Sequence, residues 1–269
     1  MDTELNLDSK INLNDGNKLP AIGLGVARLS QGLETENAVH WALDAGYRHI
    51  DTASFYGNEV SVGKAVIEHN INRKDVWITT KLWPTDFISP KKALTKSLER
   101  LGLEYVDLYL IHWPPPVDIP GLDNRLWKAM EGFKEEGLCK SIGISNFAGK
   151  RLERLVSSAN TPPAVNQIEC SPLVYPESDI DLCDYNAITV VGYRPLRMAE
   201  NLNNQTLQKI AQKHSKSPAQ IMLRWALQKG IVPIPKSKSR DRIQENIDIF
   251  DFELSNEDLE ELKTLSVAE

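Results

Sequence analysis

The sequence lacks most of what would tie a chain to a membrane, a nucleic acid or an oxidising compartment. Cysteine occurs three times, at Cys139, Cys170 and Cys183. That is an odd number with no Cys-x-x-Cys pair and no metal-ligand spacing, which argues against a disulfide scaffold or a structural zinc site. The three thiols read as small buried side chains. No apolar run approaches the ~20 residues that a membrane-spanning helix needs. The opening Met1-Asp-Thr-Glu-Leu-Asn6 has neither a basic n-region nor an apolar h-region. An excess of positive charge is missing too: 37 acidic against 31 basic residues give a formal net charge of −6, mixed along the chain. Such a surface suits neither nucleic acid nor an anionic membrane. These absences predict a cytoplasmic protein without either kind of partner.

What is present is a rhythm of strands and helices. With 269 residues and 41% hydrophobic content the chain can bury a large core, and the reading is one domain, residues 1–269. Strand-like runs rich in β-branched and aromatic residues fall at Ala21–Gly23, Arg48–Asp51, Trp77–Lys81, Val106–Ile111, Ser141–Ser145, Val165–Glu169, Thr189–Tyr193 and Val232–Pro235. Helices are expected near 35–45, 58–69, 124–136, 147–158 and 203–214, with a further start near Ser239. Ser89-Pro90 and Ser217-Pro218 open two more, closed by Gly102 and Gly230. Ser255 with Asp258 forms a capping box, and Leu254 with Leu259 a hydrophobic staple. Eight strands alternating with helices predict an α/β fold of parallel strands closed into a (β/α)₈ TIM barrel. Ahead of it, Asp15-Gly16 signals a β-hairpin cap over the barrel bottom.

Three of the strands run into ionisable side chains. Asp51 ends the second, with Tyr56 five positions on; Lys81 ends the third and His112 follows the fourth. Neighbouring barrel strands lie ~4.8 Å apart, so Asp51 and Lys81 can pair, with His112 one strand further. A phenol normally titrates near ~10, and an adjacent ammonium is expected to lower that value. The set then reads as Tyr56 giving a proton to a carbonyl oxygen, Asp51 holding Lys81 charged, and His112 orienting or polarising that oxygen. No metal or nucleophile site competes, and a barrel hydrolase would need metal-binding histidines or paired carboxylates at the strand ends. A hydride donor is therefore required. Gly23-Leu-Gly25-Val-Ala-Arg28 begins like a dinucleotide fingerprint but lacks the third glycine, so it is set aside.

Six ordered motifs carry a resemblance. They are Gly46-Tyr-Arg-His-Ile-Asp-Thr-Ala53, Thr80-Lys-Leu-Trp83, Asp107-Leu-Tyr-Leu-Ile-His-Trp-Pro114, Gly143-Ile-Ser-Asn-Phe147, Asn166-Gln167 and Ile234-Pro-Lys-Ser237. Through them almost the whole chain resembles the aldo-keto reductases, in particular the short-loop bacterial type similar to 2,5-diketo-gluconate reductases. The resemblance implies a (β/α)₈ barrel and carbonyl reduction with a nicotinamide cofactor. It also implies a nicotinamide stacked on Tyr193 with its carboxamide held by Ser145, Asn146 and Gln167. Leu196, Glu245 and Asn246 are further expected cofactor contacts. Lys236, Ser237 and Arg242 around a helix start form a basic pocket suited to a dianionic 2′-phosphate, which favours NADP(H) over NAD(H).

The chain departs from the family pattern in three places. Ala27 stands where an aromatic residue is frequent, opening one wall of the pocket. Arg194 replaces a usual serine; it is expected either to reach the cofactor's pyrophosphate or to pair at the surface with an acid such as Glu200. The segment after His112 is brief and Glu269 follows soon after the last helix, so long specificity loops are not expected. Substrate contacts then fall to Ala27, Phe55, Trp83, His112 and Trp113, an apolar slot with one polar end. The expected protein is a monomeric NADPH-dependent reductase of small aldehydes, ketones or keto-sugars. The alternative is a regulatory protein on the same barrel that binds NADP(H) and turns over little.

Overall fold

The computed structural model describes residues 5–197 and 202–266. Two short strands, β1 (Lys10–Asn12) and β2 (Lys18–Pro20), pair antiparallel around a turn where Asp15 Oδ1 accepts from Asn17 N at 3.2 Å and Gly16 takes φ 86°. This is the expected hairpin, and side-chain bonds fix it to the barrel bottom. Asn14 donates to Pro163 O (2.8 Å), Asn17 to Lys140 O (3.2 Å), and Asp15 pairs with Lys134 at 2.8 Å.

Eight parallel strands follow in chain order: β3 (Leu24–Gly25), β4 (His49–Asp51), β5 (Trp77–Leu82), β6 (Val106–Ile111), β7 (Cys139–Ser145), β8 (Val165–Glu169), β9 (Thr189–Tyr193) and β10 (Val232–Pro233). Among the described residues ten α-helices surround them: α1 (Leu33–Asp44), α2 (Glu59–Glu68), α3 (Pro90–Leu101), α4 (Leu122–Glu135), α5 (Gly149–Ser158), α6 (Glu177–Tyr185), α7 (Gln205–His214), α8 (Pro218–Gln228), α9 (Arg240–Ile247) and α10 (Asn256–Lys263). The sheet closes where Gly23 N donates to Pro233 O and Gly25 N to Pro235 O, each at 3.0 Å. Prolines have no N–H, so they serve this seam only as acceptors, while Ile234 N between them turns to Gly192 O at 3.1 Å. Approach at the seam is close enough that a Cβ on Gly25 would stand 2.9 Å from Ile234 O.

The expected caps are in position, although Ser89 at the start of α3 makes no side-chain cap bond. Ser217 with Gln220 and Ser255 with Asp258 form complete capping boxes, and Gly102 ends α3 at φ 64°. Two readings need correction. The first strand lies at Leu24–Gly25 rather than Ala21–Gly23, because Leu24 and Gly25 are the residues that reach Ile50 and Asp51 of β4, while Ala21 N is still bonded to Ser9 O beside the hairpin. Helix α6 was not anticipated: in its acidic sequence only Ile180 and Cys183 are buried, a stripe too narrow to stand out as an apolar face.

Alternation along the strands sorts side chains into two cores. Ile50, Ile78, Tyr109, Ile142, Ile144 and Ile168 face the helices. Trp77, Leu108, Leu110, Val165, Val191 and Val232 pack inside the barrel, floored by Leu13 and Leu19 of the hairpin. Toward the strand C-termini the buried side chains become polar: Asp51, Lys81, Ser145 and Gln167. The barrel is therefore dry below and polar above, as its layered packing requires.

Close helix packing supplies a direct check. A Cβ on Gly63 in α2 would lie 1.9 Å from Leu101 O in α3. Gly63→Ala is expected to lower unfolding stability by about 1–3 kcal/mol through overpacking. Urea unfolding measures it, and a variant as stable as wild type would show that α2 and α3 do not approach so closely.

Candidate active site

Asp51 ends β4, and the chain then turns through a short 3₁₀ segment, Ser54–Tyr56, closed by Gly57 at φ 68°. This turn is pinned from both sides. Thr52 Oγ1 donates to Asn58 Oδ1 (2.8 Å), Asn58 Nδ2 donates to Val26 O and Leu29 O (2.9 and 3.1 Å), and Ser54 Oγ donates to Lys81 O (3.0 Å). The phenol of Tyr56 is thereby brought over the end of β5. There the fully buried Lys81 spends its ammonium on three acceptors: Asp51 Oδ1 at 2.6 Å, Thr52 O at 2.8 Å and Tyr56 Oη at 3.5 Å. The second Asp51 oxygen accepts from Gln167 Nε2 at 2.8 Å across the barrel. A carboxylate only accepts, so the orientation of the Gln167 amide is fixed.

Burial governs the proton affinities. It raises Tyr56 above the usual phenol value, and Lys81 pulls the other way without overcoming it. The net direction corrects the expectation of a lowered phenol. Burial also works against the Lys81 ammonium, yet Asp51 and Tyr56 outweigh it and its pKa is raised. His112 is pushed down to about 2, first by burial and then by the Lys81 charge. The site thus holds a protonated phenol, an ammonium and a neutral imidazole at neutral pH.

His112 stands edge-on to Tyr56, ring centroids 5.5 Å apart, and to Trp83 at 5.0 Å. Trp83 in turn stacks on Phe55 at 3.8 Å. A cavity of about 990 Å³ opens beside them, and its wall includes Ala27, Tyr56, His112 and Trp113. Phe55 and Trp83 do not line it; they form a stacked rim, Phe55 60% exposed. Ser145, Asn146, Gln167 and Tyr193 converge on one wall and bond to one another. Ser145 Oγ donates to Gln167 O (2.7 Å), Asn146 Nδ2 to Ser145 Oγ (3.0 Å), and Tyr193 Oη to Asn146 Oδ1 (3.0 Å). Leu196, Lys236, Ser237, Arg242, Glu245 and Asn246 line the same cavity. Ser239 caps α9, so Arg242 sits on the first turn of that helix.

Arg194 also lines the cavity, but its partner is Glu169, with Nη1 3.4 Å from Oε2. Glu200 lies outside the described residues. Glu169, Arg197 and Arg28 are cavity residues that the sequence reading missed. For Glu169 a signal existed: it has the parity of Val165 and Gln167 on β8, one pleat further up. Among the described residues no group of three or more His, Cys, Asp or Glu converges as a metal site would, and no helix is long and apolar enough to cross a membrane.

The depressed imidazoles are open to measurement. His112 at about 2 and the barrel-interior His49 at about 4 are both held down chiefly by burial. Nitrogen-15 histidine spectra should show neither ring titrating between pH ~5 and ~8, where an unperturbed histidine does. A His112 ring that protonates near neutrality would remove the neutral imidazole from the site.

Comparison with known proteins bears on the chain as a whole. A sequence model of the Aldo/keto reductase family matches residues 21–267. The 9,11-endoperoxide prostaglandin H2 reductase of Trypanosoma cruzi is 43% identical over 261 residues, 95% of this chain and 91% of the relative. The glyoxal reductase of Bacillus subtilis is 42% identical over 264 residues, 97% and 94% of the two chains. Among solved structures, an aldo/keto reductase from Brucella melitensis superposes with a TM-score of 0.92 at 45% identity, covering 96% of this chain and 98% of that one. With a matching family model over nearly the whole chain, reductase relatives and a shared barrel, the protein belongs to the aldo/keto reductase family of oxidoreductases.

Proposed function

We propose that the protein reduces aldehydes and ketones to alcohols with NADPH. Tyr56 donates the proton, Lys81 and Asp51 tune it, and His112 orients the carbonyl. The observation that carries this reading is the buried Lys81 ammonium, shared between Asp51 at 2.6 Å and the Tyr56 phenol at 3.5 Å on the cavity wall. Burial keeps the proton on Tyr56 until it is needed. As that proton leaves, negative charge grows on Oη beside an ammonium already in position, so Lys81 acts more strongly in the transition state than at rest. Asp51, fixed by Gln167, keeps Lys81 charged and aimed. A neutral His112 contributes a hydrogen bond to the carbonyl without a competing positive charge.

The lining residues suit a dinucleotide by chemistry and placement. When bound, the reduced nicotinamide supplies the hydride. Ser145, Asn146 and Gln167 offer amide and hydroxyl groups for a carboxamide, and the half-buried Tyr193 ring offers a stacking face. Arg194 and Leu196 follow on the same wall. Lys236, Ser237 and Arg242 with the start of α9, and Glu245 and Asn246 behind them, suit an adenosine carrying a 2′-phosphate. Substrate enters over Ala27, Trp113 and His112 beneath the Phe55–Trp83 rim. The relatives' names span a prostaglandin endoperoxide and glyoxal. The small Ala27 and short loops support small aldehydes, ketones or keto-sugars with room for an apolar group. Burial of the three cysteines, which raises Cys139 and Cys170 to about 12, keeps their thiols inert and suits a reducing cytoplasm, and the protein is taken to act as a monomer.

Tyr56→Phe removes the proton donor and leaves the cofactor wall intact. Aldehyde-dependent NADPH oxidation should fall by ~10²–10⁴-fold while NADPH affinity stays near wild type. Activity within a few-fold of wild type would sink the assignment, and steady turnover by the wild-type protein separates an enzyme from a silent cofactor-binding barrel.

Cofactor choice has its own test. Lys236→Ala with Arg242→Ala should weaken NADPH far more than NADH, each lost charge-assisted contact being worth ~1.5–3 kcal/mol. Equal loss for both cofactors, measured by fluorescence titration, would put the 2′-phosphate elsewhere.

A further inference from the structure

Two carboxylates that line the cavity are engaged in different ways. Asp51 is engaged by Lys81 and Gln167, but Glu169 at the end of β8 holds only Arg194 and Arg197 among the described residues. Its two oxygens are divided between them, Oε1 3.1 Å from Arg197 Nε and Oε2 3.4 Å from Arg194 Nη1. These contacts are long. The pairs that tie the barrel together, Lys81–Asp51, Arg100–Glu59, Arg151–Asp123 and Lys140–Asp107, measure 2.6, 2.6, 2.7 and 2.8 Å. The arginine side chains are also 55% and 34% exposed, so water competes for them. Both take left-handed backbone, φ 49° and 52°, and Arg197 N donates to Arg194 O at 2.9 Å. A tight turn thus aims two guanidiniums at one point on the cavity wall.

That point has a particular place along the cavity. The Tyr56–His112 end and the Lys236–Arg242 end take the two ends of a dinucleotide in the reading proposed above, on which this inference rests. A ligand spanning both must carry its diphosphate along the wall of this cavity, which the segment from Tyr193 to Arg197 lines. Diphosphate oxygens and a carboxylate compete for guanidinium donors in the same way, as bidentate anionic acceptors. Left in place beside a diphosphate, Glu169 both withholds the arginines and repels the phosphates.

We infer that Glu169 is an affinity-setting residue: it pairs with Arg194 and Arg197 and is exchanged for the cofactor's diphosphate on binding. It lowers the affinity for NADPH and NADH equally, because both carry the diphosphate, and it speeds cofactor release. The exchange moves no proton and makes no covalent bond; one ionic partner replaces another.

Fluorescence titration of NADPH and NADH, at low and high salt, tests this on wild type, Glu169→Gln, Arg194→Gln/Arg197→Gln and the triple variant. Glu169→Gln should tighten both cofactors alike by about three- to tenfold at low salt, the scale of one or two partly exposed ion pairs. The gain should shrink at high salt, and cofactor dissociation in stopped flow should slow to match. In the double-arginine background the gain should shrink to the part that relief of repulsion alone supplies, a coupling that a merely structural Glu169 would not produce. Unchanged or weaker binding in Glu169→Gln, a gain confined to one cofactor, or an equal gain without the arginines would overturn the inference. Should Glu169→Gln not fold, Glu169→Asp shortens the reach and should tighten binding by a smaller factor; no tightening there overturns it as well. Wild-type protein that bound neither cofactor would overturn the dinucleotide reading and this inference together, whereas wild-type binding that Glu169 does not influence overturns only the latter.

Discussion

The rest of the structure depends on a buried ammonium. Moving a charged group out of water costs several kcal/mol even after relaxation, so Lys81 can be ionised at zero exposure only if its partners are close and fixed. The partners are fixed by two different parts of the chain. Asp51 is placed by the β4–β5 register and locked by Gln167 from β8, while Thr52 O and Tyr56 Oη are held by the turn that Asn58 braces against the loop after β3. That single requirement thus reaches from β3 across the barrel to β8. Removing one partner would strand the other as an uncompensated buried charge, a loss of about 3–5 kcal/mol.

The dry floor beneath is part of the same arrangement. Leu108, Leu110, Val165, Val191 and Val232 exclude water from below, and Leu13 and Leu19 close the opening. The resulting low polarizability separates the three titratable groups. The phenol keeps its proton and the imidazole stays neutral because both are buried, while the ammonium keeps its charge because Asp51 is within 2.6 Å. One environment therefore produces opposite outcomes according to whether a counter-charge is in contact.

Much of this could be seen in the sequence, for a definite reason. Asp51, Lys81 and His112 each follow a run of β-branched or aromatic residues, so strand ends and ionisable groups coincide in one dimension. The helix caps were equally local: Ser217 and Ser255 contact residues three positions away. What escaped notice depends on three-dimensional closure. The first strand could not be bounded because its seam is made by glycine N–H and proline C=O groups, which carry no side-chain pattern. The direction of the Tyr56 shift turns on how much burial offsets a neighbouring charge, which no spacing encodes. Glu169 and Arg197 meet only because β8 and β9 lie in register, Glu169 opposite Tyr193.

The ion pairs of this protein differ in what they can be asked to do. Lys81–Asp51 is short, fully buried and shared with a third group, so it cannot be traded without abandoning the site. Glu169 with its two arginines, and Lys238 with Glu34 at 3.6 Å, are by contrast long and partly exposed. Exposed pairs of that kind contribute about 0–1 kcal/mol, an amount that an entering anion can readily match. On the proposed reading, in which a proton relay stays rigid while a highly charged ligand comes and goes, the barrel uses both sorts, and burial is what divides them. The shortest and most deeply buried pair lies where the strands converge around Lys81, and the longer, partly exposed pairs involve the loops.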